Sequence, residues 1–265
     1  PGEIRTQAGT PYTVFTPFAK RFRGRYTVQP ASKASSRLRW TGLPDGHEGV
    51  PRPDLKSLGI AENPSLIRGG EVEANKRLTG FLGSASETSY GRDRNRMDMQ
   101  GTSRISADLK FGVLSVREVW RRVAQSDLKD VDKRCFLNEL VWREFNYNTL
   151  WDRPDVLDVP FKAKWRDFPW EHAPEHFEAW KAGQTGYPVV DAAARQLLAI
   201  GFVHNRARMV AASFLTKHLM VNYRRGEQHY LRWLVDGDWA QNCMGWQWAA
   251  GCGADAQPWF RIFNP

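Results

Sequence analysis

The segment Gly101–Ser106, GTSRIS, combines three hydroxyl side chains with one arginine at the predicted start of a helix. Hydroxyl groups, backbone N–H groups and a guanidinium are donors that proteins use to bind phosphate. A hydroxyl at such a position also caps a helix, which is the more frequent use of these residues. Taken alone, the segment favours a helix cap, and an anion site is the alternative.

A second cluster lies in the segment Cys135–Phe145, CFLNELVWREF. On a helix Glu139, Trp142 and Arg143 would share one face, because residues three and four positions apart are neighbours on the helix surface. A surface ion pair between Glu139 and Arg143, beside a buried tryptophan, is the simpler interpretation. The same face would also provide an aromatic platform on which a nucleobase could stack, with a carboxyl group to bind its polar edge.

The third cluster is the segment Asp236–Trp248, DGDWAQNCMGWQW, in which two aspartates flank a glycine before a predicted helix. The aspartates could form a metal-binding turn, a helix cap or the partners of buried arginines. We expect no metal, because no further Asp, Glu or His nearby completes an oxygen-rich ligand set. Trp246 and Trp248 are two positions apart, so they would point about 200° away from each other on a helix. They would separate two compartments or pack in the core on both sides.

A fourth segment, Phe202–Val210 or FVHNRARMV, places one His, one Asn and two Arg in an apolar helical pattern. Burying charges without partners is strongly unfavourable. This segment must therefore face an anionic ligand, a polynucleotide or buried carboxylates.

The elements that position these clusters are predicted to be helices, because apolar residues recur at helical spacing from residue 71 onwards. The predicted helices are 71–83, 104–110, 115–125, 131–151, 174–182, 188–200, 203–223, 226–234 and 238–250. Ser115 and Glu118 are spaced as a capping box. Residues 1–60 are rich in Pro, Gly, Ser and Arg, and we expect an extended, loop-rich connector with one short helix near residues 16–22. Residues 61–265 should form one all-α domain.

Composition limits the class of protein. The chain has 265 residues, 42% of them hydrophobic, and 12 tryptophans, so it can build a large core. A formal net charge of +9 favours a polyanionic partner. The cysteines Cys135, Cys243 and Cys252 form no CxxC pair, which argues against a disulfide framework and favours the reducing cytoplasm. No apolar run is long enough to span a membrane.

Together these clusters resemble one family, the photolyases and cryptochromes, and most closely the helical FAD-binding domain of bacterial class I cyclobutane pyrimidine dimer DNA photolyases. The resemblance rests on the motifs TSRIS, NELVWREF, TGYPVVDAAARQL, VHNRARM and VDGDWAQNCMGWQWAAG, which lie between PGEIRTQAGTPYTVFTPF and PWFRIFNP. It implies an all-α, FAD-binding, monomeric enzyme that repairs dimers in UV-damaged DNA by light-driven electron transfer from reduced FAD. It also implies that an N-terminal α/β domain, with its antenna pigment, and a C-terminal tail lie outside this sequence.

The resemblance implies roles for individual residues. Those expected at FAD are Tyr90, Thr102, Ser103, Arg104, Ser106, Phe136, Glu139, Arg208, Asp236, Gly237, Asp238 and Asn242. Those expected at the lesion are Glu139, Trp142, Asn205, Met209 and Trp248, and those expected to bind DNA are Arg94, Trp142 and Arg206. Asn242 would lie near N5 of the flavin, and Arg208 would pair with Asp236. Glu139 would hydrogen-bond to a pyrimidine carbonyl, which requires a protonated carboxyl group of the kind that an apolar pocket favours.

The resemblance further implies a photoreduction relay of three aromatic residues leading outward from the flavin, here Trp246, Tyr223 and Trp170. The family has Trp at the middle position, where this sequence has Tyr, and an oxidised tyrosine sheds its phenolic proton. Either Tyr223 acts beside a proton acceptor, or the route runs through Trp239, which follows Asp238. We favour the second route.

Two other functions remain open, a cryptochrome-type flavin photoreceptor and a non-catalytic DNA-binding module. All five lesion positions carry residues expected of dimer repair, which favours a photolyase over a cryptochrome. The intact TSRIS and DGD motifs argue against a module that has lost its flavin.

Overall fold

The computed structural model describes residues 1–25, 27–29, 42, 53–84 and 89–265. In these residues the chain forms eleven α-helices and no strand, apart from one isolated bridge between Arg5 and Pro11. The prediction of an all-α fold is therefore confirmed. Residues 26, 30–41 and 43–52, which belong to the predicted connector, lie outside the described residues.

The helices are α1 Phe15–Arg25, α2 Glu71–Gly83, α3 Tyr90–Asp93, α4 Ser106–Lys110, α5 Val116–Ala124, α6 Asp130–Asp152, α7 Pro174–Ala182, α8 Pro188–Ile200, α9 Asn205–Ser213, α10 Tyr223–Trp233 and α11 Trp239–Ala250. Short 3₁₀ turns at Pro154–Leu157 and Ala163–Trp165 follow α6. Most predicted helices agree with the structure to within two residues at each end, whereas α3 was not predicted. None of the helices in the described ranges is both long and apolar enough to cross a lipid bilayer.

Helix α6 organises the amino-terminal half of the fold. It has 23 residues and contacts α1, α3, α5 and α11. Phe136 and Leu140 lie in a core cluster with residues of α2 and α5, whereas Val141 and Phe145 lie in a second cluster with residues of α1. Because it is buried on several sides, α6 holds both clusters in a fixed relation.

The short helix predicted near residues 16–22 is found as α1, and it packs directly on α6. Phe15 and Phe18 are buried against Val141 and Phe145. The N–H of Gly2 also donates to Asn148 Oδ1 at 2.8 Å. This part of the first 60 residues therefore belongs to the helical core, while the domain boundary at residue 60 stays a prediction.

The prediction of one helix over residues 203–223 is wrong. Helix α9 ends at Ser213, a π-helix follows at Phe214–His218, and Met220 adopts a left-handed φ of 52° that reverses the chain. The Asn222 side chain then accepts from the N–H of Arg224 and caps α10. The apolar pattern misled the prediction because Val221, in the loop, is buried in the same core as its helical neighbours.

The capping box predicted at Ser115 is also wrong. Ser115 immediately precedes α5, but its side chain makes no capping hydrogen bond. Glu118 instead accepts from Arg121 Nε at 2.9 Å, one turn along the same helix.

The carboxy-terminal core depends on close packing between α10 and α11. Trp246 of α11 lies against Gly226 of α10, where a Cβ atom would come within 2.5 Å of Trp246 Cζ3 and 2.6 Å of Leu215 Cδ2. Trp246 also makes edge contacts with Trp180 and Tyr230. The absence of a side chain at residue 226 therefore determines where the Trp246 indole lies.

We expect Gly226→Ala to lower the free energy of unfolding by about 1–3 kcal/mol, because the added methyl group overpacks the core. Gly245→Ala is the matched control. Gly245 also lies inside a helix, but it is exposed and a Cβ there would meet no atom within 4 Å. It should raise the free energy of unfolding by about 0.5–1 kcal/mol. Urea denaturation measures both, and equal effects would contradict this account of the packing.

Candidate functional site

A cleft of about 500 Å³ lies between α2, the segment before α4 and the turn between α8 and α9. Its volume is within the range of roughly 300–1,000 Å³ that is usual for small-molecule sites. The lining combines hydroxyl groups and cations with an apolar wall and includes Lys76, Thr102, Ser103, Arg104, Ser106, Phe202 and Val235. The cleft can therefore bind an anionic group next to an apolar one.

Arg104 is held in this cleft without a full set of partners. Its φ of 53° is left-handed, its guanidinium lies 4.8 Å from the Phe202 ring centroid, and its Nε is buried with no hydrogen-bond partner. A buried donor without an acceptor is unfavourable, and an anionic ligand would supply the acceptor. The helix-cap alternative is wrong, because the residue that precedes α4 is Ile105 and no side chain caps the helix.

Arg208, in the charged segment 202–210, is paired with a buried carboxylate. Its Nη2 donates to both carboxylate oxygens of Asp236 at 2.8 and 2.9 Å, and its Nε donates to the Val203 carbonyl at 2.8 Å. Asp236 is buried, so the pair is largely removed from solvent. His204 caps the same helix, since its Nδ1 accepts from the N–H of Arg206. The predicted pairing of Arg208 with Asp236 is thus present in the structure.

Asp238 caps α11. It accepts from the N–H of Gln241 at 2.9 Å and from the hydroxyl of Tyr147. Burial and the hydrogen bond to Asp238 raise the pKa of Tyr147 to about 12. Further along α11, Asn242 Nδ2 donates to the carbonyl of Glu227 at 3.0 Å. Within the described ranges no group of three or more His, Cys, Asp or Glu is placed to hold a metal ion.

Glu139 has a different partner from the one that helical spacing suggested. Arg94 Nη1 donates to Glu139 Oε1 at 2.6 Å and lies 3.1 Å from Cys135 Sγ. Arg143 instead lies over the Tyr147 ring, 4.6 Å from its centroid. The Glu139 side chain is thus about one third exposed and lies next to a cation, and it is not in the apolar pocket that we expected.

Asp132 positions the segment that supplies Arg94. Its Oδ1 accepts from the N–H of Gly91 at 2.6 Å and from the hydroxyl of Ser89 at 3.1 Å, and the residue is buried. Tyr90, one of the residues expected at FAD, is buried between Phe81 and Phe136 in the same region. The role of Asp132 could not be predicted from the sequence, because its contacts are 41 and 43 residues away along the chain.

The expected lesion residues lie on three helices. Trp142 is half-buried, and the Phe15 ring covers it in a stacked contact with a centroid distance of 3.6 Å. Trp248 is half-buried against the carboxy-terminal core. Asn205 Nδ2 lies 3.6 Å from Met209 Sδ, so these two residues share one face of α9 as predicted. Sequence reasoning missed Phe15, although an aromatic residue followed by Phe18 at helical spacing was the available signal.

The aromatic residues of the predicted relay are distributed from the core outwards. Trp246 is buried, Tyr223 is buried and touches Trp170 at 6.2 Å between ring centroids, and Trp170 is half-buried. Trp239, the residue of the alternative route, is 61% exposed at the start of α11.

Comparison with known proteins shows one class of protein that this chain resembles. Residues 136–265 match the family profile described as the FAD binding domain of DNA photolyase. The deoxyribodipyrimidine photo-lyase of Halobacterium salinarum is 40% identical over 274 residues, which cover all of this chain and 56% of that protein. The chain thus spans about half the length of the curated relatives that it matches.

Solved structures of photolyases and cryptochromes have the same fold as this chain. A bacterial class III photolyase from Agrobacterium tumefaciens has a TM-score of 0.88 at 34% identity over 99% of this chain and 55% of that chain. A cryptochrome from Synechocystis has a TM-score of 0.81 at 30% identity over 95% of this chain and 54% of that chain. Over its whole length the chain is similar to members of the photolyase/cryptochrome family, and its cofactor is FAD.

The residues present fit FAD. A pyrophosphate needs several donors, and the cleft offers the Arg104 Nε without an acceptor together with the side chains of Thr102, Ser103 and Ser106. Within the described residues these three hydroxyl groups have no hydrogen-bond partner, so they are free to donate. The five-residue helix α4 adds little dipole, and the side chains must therefore supply most of the binding.

Glu227, which the sequence did not single out, is a buried carboxyl group on α10 next to the Asn242 contact. Burial raises the pKa of Glu227 to about 7, and Arg224 opposes this shift. Its raised pKa means that the native state binds more protons than the unfolded state between pH 4.5 and about 7. The stabilising contribution of Glu227 is therefore present at low pH and is lost as the pH rises through about 7.

We expect Glu227→Gln to raise the free energy of unfolding above pH 7 by up to about 3 kcal/mol, because the amide never has to ionise in a buried place. At pH 4.5 the variant and the wild type should be nearly equal. Urea denaturation across this pH range measures the difference. Glu175→Gln, an exposed carboxylate on α7, is the control and should keep the wild-type profile. A parallel offset of Glu227→Gln at every pH would contradict the assignment.

Proposed function

We propose that the protein repairs cyclobutane pyrimidine dimers in UV-damaged DNA, using light and FAD. The names of its relatives, the FAD-binding profile and a net charge of +9 support this function. Bound FAD in its reduced form would supply the electron that opens the cyclobutane ring after absorbing light, and would take it back afterwards. The residues of this chain would bind, orient and desolvate the two reactants.

The observation that carries the proposal is the arrangement of α9. Arg208 turns inward and pairs with the buried Asp236, whereas Asn205 is exposed at the start of the same helix and touches Met209. One rigid helix of nine residues thus links the cofactor-side ion pair to an accessible polar surface. Such a surface is where an extruded dinucleotide would be bound by hydrogen bonds and apolar contacts.

The cofactor residues fall into two groups. Thr102, Ser103, Arg104 and Ser106 would hold the phosphates, for the reasons of donor chemistry given above. The residues that would face the adenosine and the flavin ring are Tyr90, Phe136, Glu139, Arg208, Asp236, Gly237, Asp238 and Asn242. The Asn242 amide nitrogen donates to the Glu227 carbonyl, and this hydrogen bond fixes the orientation of the Asn242 amide. The Asn242 amide oxygen would then be available to accept a hydrogen bond from an N–H group of the flavin.

At the lesion Glu139 and Arg94 would act together. The carboxylate would accept from a pyrimidine N–H, and the guanidinium would donate to a carbonyl. For Glu139 to donate to a carbonyl itself, it must gain a proton and give up its 2.6 Å contact with Arg94. The Arg94 guanidinium is about one quarter exposed, so binding Glu139 and binding a DNA phosphate would compete for it.

Trp142 would form one wall for the flipped bases, and Trp248 another. Because Phe15 is stacked against Trp142, one face of the indole is supported and the ring is held in a fixed orientation. Supported aromatic rings suit base stacking, which contributes about 1–3 kcal/mol per base.

Two other functions would give different results. A cryptochrome-type photoreceptor is the second candidate, because a cryptochrome shares this fold over 95% of the chain. A non-catalytic DNA-binding module would bind DNA without FAD, which the donor-rich cleft opposes.

The deciding experiment is repair of an oligonucleotide that contains one thymine dimer. The purified protein, loaded with FAD and reduced chemically, should restore the two thymines under blue light and not in the dark. Flavin photochemistry without repair would indicate a photoreceptor. Binding of the oligonucleotide by a protein that retains no FAD would indicate a module.

We expect Glu139→Gln to lower the repair rate by about tenfold or more, because a hydrogen bond to a charged group contributes about 1.5–3 kcal/mol. Its matched control is Glu144→Gln on the same helix. Both carboxylates are 34% exposed and paired with an arginine, but Glu144 pairs with Arg143. The control should repair at the wild-type rate, and both variants should retain FAD. Equal losses in the two variants would exclude a specific role for Glu139.

Arg206 would contact a phosphate rather than a base. Its guanidinium donates to Asn95 Oδ1 at 2.5 Å at the partly exposed start of α9. We expect Arg206→Gln to weaken binding of damaged and undamaged DNA alike and to reduce the salt dependence, the slope of log K against log salt, by about 1. Fluorescence anisotropy titrations at several salt concentrations measure this slope. A loss confined to damaged DNA would assign Arg206 to the lesion instead.

A further inference from the structure

One buried face of α10 carries two tyrosines and one carboxyl group. Tyr223, Glu227 and Tyr230 are spaced i, i+4 and i+7, so they lie on the same side of the helix. Each has an exposed fraction of 5% or less. Both phenolic hydroxyl groups are buried without a hydrogen-bond partner in the described part of the chain. This face therefore contains two donors with no acceptor and one acid with little access to water.

Aromatic rings connect this face to the core and to the surface. Trp246 packs on α10 at Gly226 and touches the Tyr230 ring at a centroid distance of 5.2 Å, and it shares a core cluster with Tyr223. On the outer side Tyr223 touches Trp170, which is half-buried and touches Phe168 and Trp259. Tyr223 thus contacts the partly exposed indole of Trp170 and shares a core cluster with the buried indole of Trp246, and side chains of both types can be oxidised by one electron.

Oxidation of a buried tyrosine requires a base, because the oxidised phenol releases its proton. Burial raises the pKa of Tyr223 above its usual value, so the intact phenol holds its proton firmly. The other groups that act on Tyr223 and Glu227 are Arg224, Asp158, Cys243 and Cys252. Burial raises the pKa of both thiols, to about 12 for Cys252, so neither is a base at neutral pH.

The remaining charged groups are also unsuited. Arg224 is a donor that is held by the Leu157 carbonyl at 2.5 Å, and it contacts Asp158 at 3.3 Å. Asp158 has a largely exposed side chain. Glu227 is buried one helical turn from Tyr223, where the Cβ atoms of an i, i+4 pair lie about 5–6 Å apart.

We propose that Glu227 is the proton acceptor of Tyr223, and that the two residues form a buried proton-coupled redox pair on the path between Trp246 and Trp170. This inference rests on the proposed function, because bound FAD, in its oxidised form and excited by light, would supply the oxidant for Trp246. The Trp246 radical cation then takes one electron from Tyr223. The phenolic O–H bond breaks, the proton goes to the Glu227 carboxylate, and the products are a neutral tyrosyl radical and a carboxylic acid.

A thiol reductant in solution completes the cycle. Its thiolate form donates one electron by way of Trp170 and becomes a thiyl radical, the tyrosyl radical becomes a phenolate, and the proton returns from Glu227 to the phenolate oxygen, so the pair is restored. The Tyr223 hydroxyl is not bonded directly to Glu227, and the proton therefore crosses by a side-chain rotation or through one water molecule.

The test follows the radical and the acid, not the repair rate. The FAD-loaded, oxidised protein is illuminated, and the tyrosyl radical is measured by electron paramagnetic resonance. The protonated Glu227 is measured as a carboxylic-acid C=O band in the infrared difference spectrum. In the wild type both signals should appear together, and their yield should rise as the pH rises through about 7, where Glu227 becomes a carboxylate.

Three variants separate the roles. Glu227→Gln should lower the tyrosyl radical yield by at least about tenfold and abolish the acid band. Tyr223→Phe should abolish both signals. Tyr230→Phe is the matched control, because it removes the other buried phenol of the same face and should change neither signal. A tyrosyl radical that persists at wild-type yield in Glu227→Gln would overturn the proposal, as would a wild-type yield that is independent of pH.

Two further measurements complete the test. Loss of photoreduction in Trp239→Phe but not in Tyr223→Phe would overturn the proposal in favour of the surface route. Chemically reduced protein does not need photoreduction, so Glu227→Gln reduced in this way should repair dimers like the wild type. Absence of repair by the chemically reduced wild type would refute the proposed function, and this result is distinct from every outcome of the radical measurement.

Discussion

The ion pair between Arg208 and Asp236 is the interaction on which the rest of the site depends. Two charges taken out of water recover little net stability, but removing one partner leaves an uncompensated buried charge and costs about 3–5 kcal/mol. The pair fixes α9 relative to the turn that leads into α11, and the Arg208 contact with the Val203 carbonyl fixes the start of α9 as well. α11 carries Asn242, Trp246 and Trp248, so one buried contact sets the positions of residues with three expected roles.

One aromatic ring of the cleft, Phe202, contacts two arginines. The guanidinium groups of Arg104 and Arg208 lie 4.8 and 5.6 Å from the ring centroid of Phe202. A ring face can partly offset the repulsion between two neighbouring cations. Asp236 forms an ion pair with Arg208, whereas Arg104 retains a donor without an acceptor. The imbalance is directional, because it leaves positive charge pointing into the cleft where an anionic cofactor group would bind.

Burial stabilises this fold and also adjusts its chemistry. Trp246 packs closely on Gly226 of α10, and burial of the neighbouring Glu227 on the same helix raises its pKa to about 7. A buried carboxyl group with a raised pKa lowers the free energy of unfolding above neutral pH, where it must ionise. It is nevertheless a group that can gain or lose a proton under physiological conditions, as functional sites require.

The sequence by itself determined most of the helices and the identity of the site motifs. Helical periodicity is a local property, and the residues of α2, α7 and α8 carry it within their own length. The pattern failed at Met220–Asn222, because burial of Val221 by distant residues imitates a helix. Contacts between residues that are far apart in the sequence were decided only by the tertiary structure. Glu139 is paired with Arg94, 45 residues away, and not with Arg143, and Trp142 is covered by Phe15 from a segment that looked like a connector. Spacing within one helix shows which side chains share a face, but which residue from elsewhere meets that face depends on how the helices pack.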